Sequence, residues 1–282
     1  MITAMQRSRS LSVPTGAAAT LALLSFALLA FAPSAARAQA SSADGIAQYR
    51  ALLADGNPAD LWEAKGELLW KQPRGPKNVS LETCDLGKGP GVVKGAFVEL
   101  PRWFVDTGRV QDLESRLLSC MQAQGFDPAV IAATPFGRGE QISIEALVTY
   151  IAAASKDMKF NLPQGRPEER RMAEIGKRLF YFRAGPYDFS CASCHGEAGK
   201  RIRLQDLPDL TKNPGDGVGF AAWPAYRVSS GELWSMQRRL NDCFRQQRFP
   251  FPGYASDATI ALSTFMGVNA HGAVSIAPAI RR

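Results

Sequence analysis

The sequence has little of what most metal sites, membrane proteins and nucleic-acid binders need. It contains only two histidines among 282 residues, and it has no long run of basic residues or recognisable nucleic-acid-binding motif. An uncharged apolar stretch at residues 17–31 is about fifteen residues long, short of the roughly twenty that a membrane span needs. No segment alternates regularly between apolar and polar residues, as a half-buried strand would. We therefore expect an all-α fold with no membrane span in the mature form and no nucleic-acid partner.

One short run carries recognisable chemistry. Residues 191–195 read Cys-Ala-Ser-Cys-His, the Cys-x-x-Cys-His spacing of a c-type haem attachment site. In such a site Cys191 and Cys194 form thioether bonds to the porphyrin, and His195 ligates the iron. The alternative is a redox or zinc Cys-x-x-Cys, but zinc would need two further Cys or His ligands, and none follows within about forty residues. The motif predicts one covalently attached haem c.

The N-terminus has the pattern of a cleaved secretory signal. Arg7 and Arg9 precede the apolar stretch, and Ala36-Arg37-Ala38 matches an A-x-A cleavage site. We expect residues 1–38 to be removed and the protein to be periplasmic, where haem c is attached; an uncleaved anchor is the alternative. The signal carries three basic residues and no acid, so the net charge falls from +7 to +4 on cleavage. This mild basicity fits an acidic partner or an anionic substrate.

The mature chain repeats itself in two aligned blocks, the first at an offset of 110 residues and the second at 123. The aligned pairs include Gly66 with Gly176, Cys84 with Cys194, Pro101 with Pro224, Arg116 with Arg239, and Cys120 with Cys243. The first half has Leu81 and Asp85 where the second has Cys191 and His195, so it lacks the haem motif. We predict two tandem cytochrome c-like domains, residues 41–160 and 161–282, of which only the second binds haem c. Chance similarity between amphipathic helices is the alternative.

Each half is predicted to contain three helices. Apolar residues recur at spacings of three and four, and Gly-Pro pairs end the first helix of each half. The predicted helices cover residues 61–70, 110–122 and 142–154 in the first half, and 170–182, 231–246 and 259–266 in the second. Residues 161–167, with two prolines and a glycine, are the predicted linker.

Three of the five cysteines lie outside the haem motif. In the repeat, Cys84 and Cys120 flank the position of the missing haem, where they could close a disulfide in an oxidising compartment or remain two free buried thiols. Cys243 is then unpaired. It is an inert buried thiol, a link to another chain, or a reactive sulfur that is also the sixth ligand of the iron. The repeat favours the last, because it places Cys243 across the pocket from the motif.

Other residues near Cys243 have competing interpretations. Met236 and Met266 could ligate iron but are expected in the core, and His271 is expected at the surface. Arg239 lies one helical turn before Cys243, where a guanidinium favours the thiolate and can bind an oxyanion. Three more arginines are expected to extend this basic patch: Arg238, Arg245 and Arg248.

Two runs make the resemblance to a known family specific. The segments at residues 239–248 (RLNDCFRQQR) and 100–110 (LPRWFVDTGRV), together with the haem motif, resemble the A subunits of the SoxAX cytochromes of bacterial sulfur oxidation. The resemblance implies that His195 and Cys243 are the axial iron ligands, that Cys243 carries a persulfide, and that Arg239 faces the substrate. It also implies the monohaem branch, in which a Cys84–Cys120 disulfide replaces the first haem.

The resemblance further implies a reaction and partners. The expected enzyme is an L-cysteine S-thiosulfotransferase that joins thiosulfate to a cysteine of the SoxYZ carrier protein with release of two electrons. The electrons would pass to a small SoxX-type cytochrome c subunit in a heterodimer. The main alternative is a periplasmic electron-transfer cytochrome c without sulfur-transfer activity, and a haem-based sensor is a third. The presence of Cys243 and Arg239 favours the sulfur transferase over the other two functions, because a plain electron carrier needs neither residue.

Overall fold

In the computed structural model, residues 56–202, 205–212 and 217–281 are described, together with the isolated positions 45, 48 and 51. The predicted signal peptide, residues 1–38, lies outside the described residues. Within these ranges, no helix is long and apolar enough to cross a membrane. The two sequence halves belong to one compact unit.

The first half consists mainly of helices. Its elements are α1 (Ala59–Lys71), β1 (Arg102–Phe104), β2 (Arg109–Gln111), α2 (Leu113–Ala123), α3 (Pro128–Ala133) and α4 (Gly139–Ala153). Strands β1 and β2 pair antiparallel, with Trp103 opposite Val110. Short 3₁₀ turns at Leu81–Thr83 and Phe97–Glu99 connect α1 to this hairpin.

The second half adds a small sheet to a similar set of helices. Its elements are α5 (Pro167–Tyr181), α6 (Cys191–His195), β3 (Arg201–Ile202), β4 (Gln205–Asp206), α7 (Gly217–Phe220), β5 (Ala225–Arg227), β6 (Glu232–Trp234), α8 (Met236–Gln246), α9 (Asp257–Asn269) and β7 (Ala279–Arg281). Strand β5 is central, antiparallel to β6 and parallel to β7. The sheet places the end of β5 beside the chain's C-terminal strand.

The helix-rich prediction is confirmed, but the expectation of a fold without strands is wrong. Residues 110–111 and 232–234, predicted as the beginnings of helices, are strands. Each hairpin turns at a glycine with positive φ, Gly108 at 61° and Gly231 at 68°, a conformation that other residues adopt rarely. Strands of three residues are too short to show an alternating pattern, so periodicity could not detect them.

The longest helices of each half cross at a glycine. A Cβ atom on Gly66 of α1 would lie 2.1 Å from the carbonyl oxygen of Ala146 in α4. A Cβ atom on Gly176 of α5 would lie 1.9 Å from the carbonyl oxygen of Ala261 in α9. Both distances are far inside van der Waals contact, so only glycine allows the two backbones to approach this closely.

The halves meet through buried polar side chains at the beginnings of α2 and α8. The Nε2 atom of Gln237 donates to Asp112 Oδ2 at 2.6 Å, and the Gln237 backbone N–H donates to Glu114 Oε1 at 3.3 Å. Arg238 forms a buried ion pair with Glu145 at 2.9 Å. Burial raises the pKa of Glu114 to about 8, and the negative charge of Asp112 adds to this effect. The contact between halves therefore depends on a carboxyl group that holds its proton at neutral pH.

Candidate functional site

The Cys-x-x-Cys-His run forms a single helical turn with its own cap. The Ser190 side chain accepts a hydrogen bond from Ser193 N–H at 3.2 Å, and the Ser193 hydroxyl accepts one from Ser190 N–H at 3.0 Å. This reciprocal capping satisfies backbone donors that a short helix otherwise leaves free. It fixes the turn so that Cys191, Cys194 and His195 all line the same cavity.

His195 is oriented by a backbone carbonyl. Its Nδ1 atom lies 2.9 Å from the carbonyl oxygen of Pro208, and burial lowers the pKa of the imidazole. A neutral ring that donates from Nδ1 leaves the Nε2 lone pair free. Metal-ligating histidines commonly have this arrangement, with the second nitrogen donating to a backbone oxygen.

The cavity beside the motif has a volume of about 470 Å³, within the range of about 300–1,000 Å³ usual for cofactor and ligand sites. Most of its wall is apolar, with contributions from Phe180, Trp223, Met236, Leu240, Phe249, Leu262 and Met266. Met236 and Met266 also belong to the apolar core of this half, as the sequence suggested. His271 is exposed, also as expected.

Cys243 reaches the same cavity from α8. Its thiol is free, like those of Cys191 and Cys194. Burial raises the pKa of Cys243, while the positive charge of Arg239 lowers it by less. The prediction that Arg239 favours the thiolate therefore has the right direction, but in the protein alone the desolvation of the sulfur is larger.

Arg239 also lines the cavity, but the predicted basic patch around it does not form as one surface. Arg239 Nη1 donates to Asp242 Oδ2 at 3.2 Å, and Arg245, which is exposed, pairs with the same carboxylate. Arg238 turns away from the cavity, and two carboxylates neutralise it: Glu145 of the first half and Glu232 on β6. Arg248 stacks over Tyr187, with 5.6 Å between the guanidinium carbon and the ring centroid. The expectation for Arg238 is wrong because two carboxylates neutralise it, whereas Arg248 is an exposed cation outside the cavity lining.

Known proteins resemble this chain over most of its length. The L-cysteine S-thiosulfotransferase subunit SoxA of Hydrogenophilus thermoluteolus is 53% identical over 245 residues, which span 86% of this chain and 90% of that protein. The chain belongs to the SoxA family. A SoxA subunit of Hydrogenobacter thermophilus is 33% identical over 225 residues, 78% of this chain and 83% of that protein.

Two further comparisons concern the architecture of this SoxA-family chain. The crystal structure of SoxXA from P. pantotrophus contains a chain of the same fold, with a TM-score of 0.69 at 23% identity, covering 83% of this chain and 84% of that one. The family description "SoxA/TsdA, cytochrome c domain" matches residues 65–160. That match falls on the half without the haem motif.

SoxA family membership implies covalently bound haem c, and the cavity fits this group. Two free cysteines and an oriented histidine stand on one short helix, beside an apolar wall that suits a porphyrin. Among the described residues, no group of three or more His, Cys, Asp and Glu side chains is arranged to hold a metal ion. The chain therefore presents the donor set of a haem c site.

Two arginines that line the cavity were not predicted from the sequence, Arg227 at the end of β5 and Arg281 in β7. The repeat offers a signal for Arg227. At the offset of 123 residues, Arg227 aligns with Phe104, over which the Arg116 guanidinium lies at 4.0 Å. Where the first half pairs an arginine with an aromatic ring, the second has two arginines, Arg227 and Arg239.

The corresponding region of the first half is closed by covalent and polar contacts. Cys84 and Cys120 form a disulfide with an S–S distance of 2.00 Å. Arg116 is buried, and it donates to the Asp85 carbonyl oxygen at 2.7 Å and to Asp106 Oδ2 at 2.7 Å. These contacts occupy the Arg116 guanidinium, which therefore does not serve a ligand there.

Proposed function

We propose that this SoxA-family chain conjugates thiosulfate to a cysteine of the SoxYZ carrier protein as a haem c-dependent L-cysteine S-thiosulfotransferase. One observation carries the proposal: a free cysteine and an arginine from α8 line the same cavity as the Cys-x-x-Cys-His motif. The overall step forms one S–S bond between the carrier thiolate and the sulfane sulfur of thiosulfate, and it releases two electrons. The carrier thiolate and thiosulfate together carry three negative charges. The S-sulfonate product carries one, and the other two leave as electrons.

Individual residues would have separate roles in this reaction. Cys191 and Cys194 would hold one haem c covalently, and His195 and Cys243 would ligate its iron. When bound, haem c supplies an electron acceptor beside the reacting sulfur. Arg239 would hold the anionic end of thiosulfate through a charge-assisted hydrogen bond.

Cys243 would form the covalent bond to the sulfane sulfur of the substrate through a persulfide. A persulfide on Cys243 would place an outer sulfur in the cavity, where it would form an S–S bond with the sulfane sulfur of thiosulfate, and the two electrons counted above would be released in this step. The carrier thiolate would then attack the sulfane sulfur in an ordinary thiol–disulfide exchange, and the Cys243 persulfide would be the leaving group. The largely apolar wall of the cavity would limit the contact of these sulfur species with water.

We also propose that the chain contains two cytochrome c-like domains, residues 41–160 and 161–282, and one haem. Matching features at the two sequence offsets support the repeat: the crossing glycines Gly66 and Gly176, and the helix caps Asp112 and Ser235. The family match over residues 65–160 supports a cytochrome c-like first domain. That domain lacks the haem-attachment motif, and its Cys84 is in a disulfide.

The proposed setting is the periplasm, with a SoxX-type cytochrome c subunit as the partner in a heterodimer. The signal pattern of residues 1–38 and the haem attachment motif support export. A disulfide also suits an oxidising compartment. The similar crystal structure, described as SoxXA, supports a partner of this kind.

The test is conjugation of thiosulfate to the purified carrier by the complex with its partner subunit, detected as S-sulfonate on the carrier by mass spectrometry. Cys243→Ala should retain haem and lose conjugation. The double variant Cys84→Ser/Cys120→Ser is the matched control, because it removes two sulfurs that do not line the cavity, and it should remain active. Conjugation at the wild-type rate by Cys243→Ala would contradict the proposal.

A further inference from the structure

Arg227 is held in place by the small sheet of the second half. It is the last residue of β5, in register with Glu232 on β6 and Arg281 on β7. Its carbonyl oxygen accepts hydrogen bonds from Ser230 N–H at 3.1 Å and from Gly231 N–H at 2.9 Å. The backbone at this position is therefore fixed by strand pairing on both sides and by the following turn.

The side chain of Arg227 rests on a tryptophan that is itself anchored. The Arg227 guanidinium carbon lies 5.1 Å from the centroid of the Trp234 ring, and the Arg238 guanidinium carbon lies 4.7 Å from the same centroid. Arg238 is fixed in turn by its buried ion pair with Glu145. Stacking on a ring held in this way limits the positions that the Arg227 guanidinium can adopt.

The positive charge of Arg227 is not matched by a close carboxylate. Within the described ranges Arg227 forms no ion pair, and its Nε atom is buried without a hydrogen-bond partner. Burial and the charge of Arg239 lower the pKa of Arg227, while Asp242 and Cys243 raise it, so these groups lie within electrostatic range of one another. The one carboxylate among them, Asp242, already accepts from Arg239 and Arg245.

A half-buried guanidinium that lines a cavity together with two other arginines, Arg239 and Arg281, favours an anion with several oxygens. We propose that Arg227 and Arg239 together bind the sulfonate group of thiosulfate and direct its sulfane sulfur toward Cys243. This inference rests on the proposed function. It extends the proposed function, because substrate binding is assigned to Arg227 as well as to Arg239, the one arginine that the sequence suggested for this role.

The porphyrin carboxylates of haem c are the other anions that could bind to Arg227. The experiment therefore distinguishes binding of thiosulfate from binding of these carboxylates. The dissociation constant (Kd) of thiosulfate is measured by calorimetry on the oxidised holoprotein complex without carrier, which prevents turnover. Haem content and haem reduction potential are measured on the same samples. The variants are Arg227→Gln and, as a control of equal charge change, Arg183→Gln, whose side chain is exposed and paired with Asp188 outside the cavity.

Arg227→Gln should raise the Kd and the KM for thiosulfate by about 10–100-fold, the effect of one lost charged hydrogen bond. Haem content should not change, and Arg183→Gln should match the wild type in every measurement. An unchanged Kd in Arg227→Gln would overturn the inference. So would a changed haem potential with an unchanged Kd, because Arg227 would then serve the porphyrin carboxylates.

Two further outcomes remain informative. If Arg227→Gln does not fold, Arg227→Lys replaces it: lysine keeps the charge but not the planar fork, so the Kd should still rise, and an unchanged Kd would overturn the inference. If the wild-type complex binds thiosulfate through Arg227 but does not conjugate it to the carrier, the proposed function fails and the assignment of Arg227 as an anion-binding residue stands.

Discussion

The buried carboxyl of Glu114 should make the stability of this protein fall as the pH rises through neutrality. Burial and the nearby charge of Asp112 raise its pKa from an ordinary 4.5 to about 8. Between these two values the folded protein keeps a proton that the unfolded chain has released. The folded state then binds more protons than the unfolded state, so the free energy of unfolding decreases with increasing pH. Below pH 4.5 both states are protonated and the effect is constant.

The size of the effect follows from the two pKa values. A difference of about 3.5 pH units at 1.36 kcal/mol per unit gives on the order of 5 kcal/mol between pH 4.5 and pH 8. This is a large part of the 5–15 kcal/mol that typically separates folded from unfolded domains. Glu145, whose pKa burial raises to about 7, adds a smaller loss in the same direction.

The assay is urea unfolding followed by circular dichroism at pH 5, 6.5 and 8. Glu114→Gln replaces the protonated acid by a neutral group of the same shape, so it should remove the larger part of the pH dependence. The smaller part, from Glu145, should remain. Glu174→Gln, on the exposed face of α5, is the matched control and should keep the wild-type slope. If the slope of Glu114→Gln equals that of the wild type, the assignment of the neutral buried carboxyl is refuted.

Two further predictions concern the architecture. Gly176→Ala should lower the free energy of unfolding by about 1–3 kcal/mol, because the new Cβ atom would lie 1.9 Å from the Ala261 carbonyl oxygen. Gly165→Ala is the control and should have little effect, because Gly165 has open space around it. Thermal unfolding measures both changes. Loss of the disulfide in Cys84→Ser/Cys120→Ser should cost about 2–5 kcal/mol while haem content is unchanged, and a loss of haem would show that the two halves are not independent in cofactor binding.

Local patterns in the sequence predicted much of this fold. The six helices predicted from apolar spacing are present. Four of them are amphipathic, whereas α4 and α9 are apolar on nearly all sides because both are buried. The helix beginnings were less well predicted. Helix α8 begins at Met236, capped by Ser235, rather than near residue 231, because a three-residue strand intervenes that leaves no periodic signal.

Contacts between distant parts of the chain could not be read from sequence. Arg238 follows Glu145 by 93 residues, and nothing near either residue shows that they form a buried ion pair. Arg227 joins the cavity only because β5 runs beside β6 and β7. The cavity cysteines were predictable for the opposite reason. Cys191 and Cys194 lie with His195 in one five-residue motif, and the internal repeat points to Cys243.

The electron paramagnetic resonance spectrum of the oxidised holoprotein shows whether Cys243 faces His195 as a sulfur donor in one haem site. We expect a single low-spin haem with the g-values of histidine–thiolate ligation, and a changed spectrum in Cys243→Ala. A wild-type protein with the absorption band of histidine–methionine ligation would contradict it. Met236 or Met266 would then be the ligand, as in a simple electron carrier.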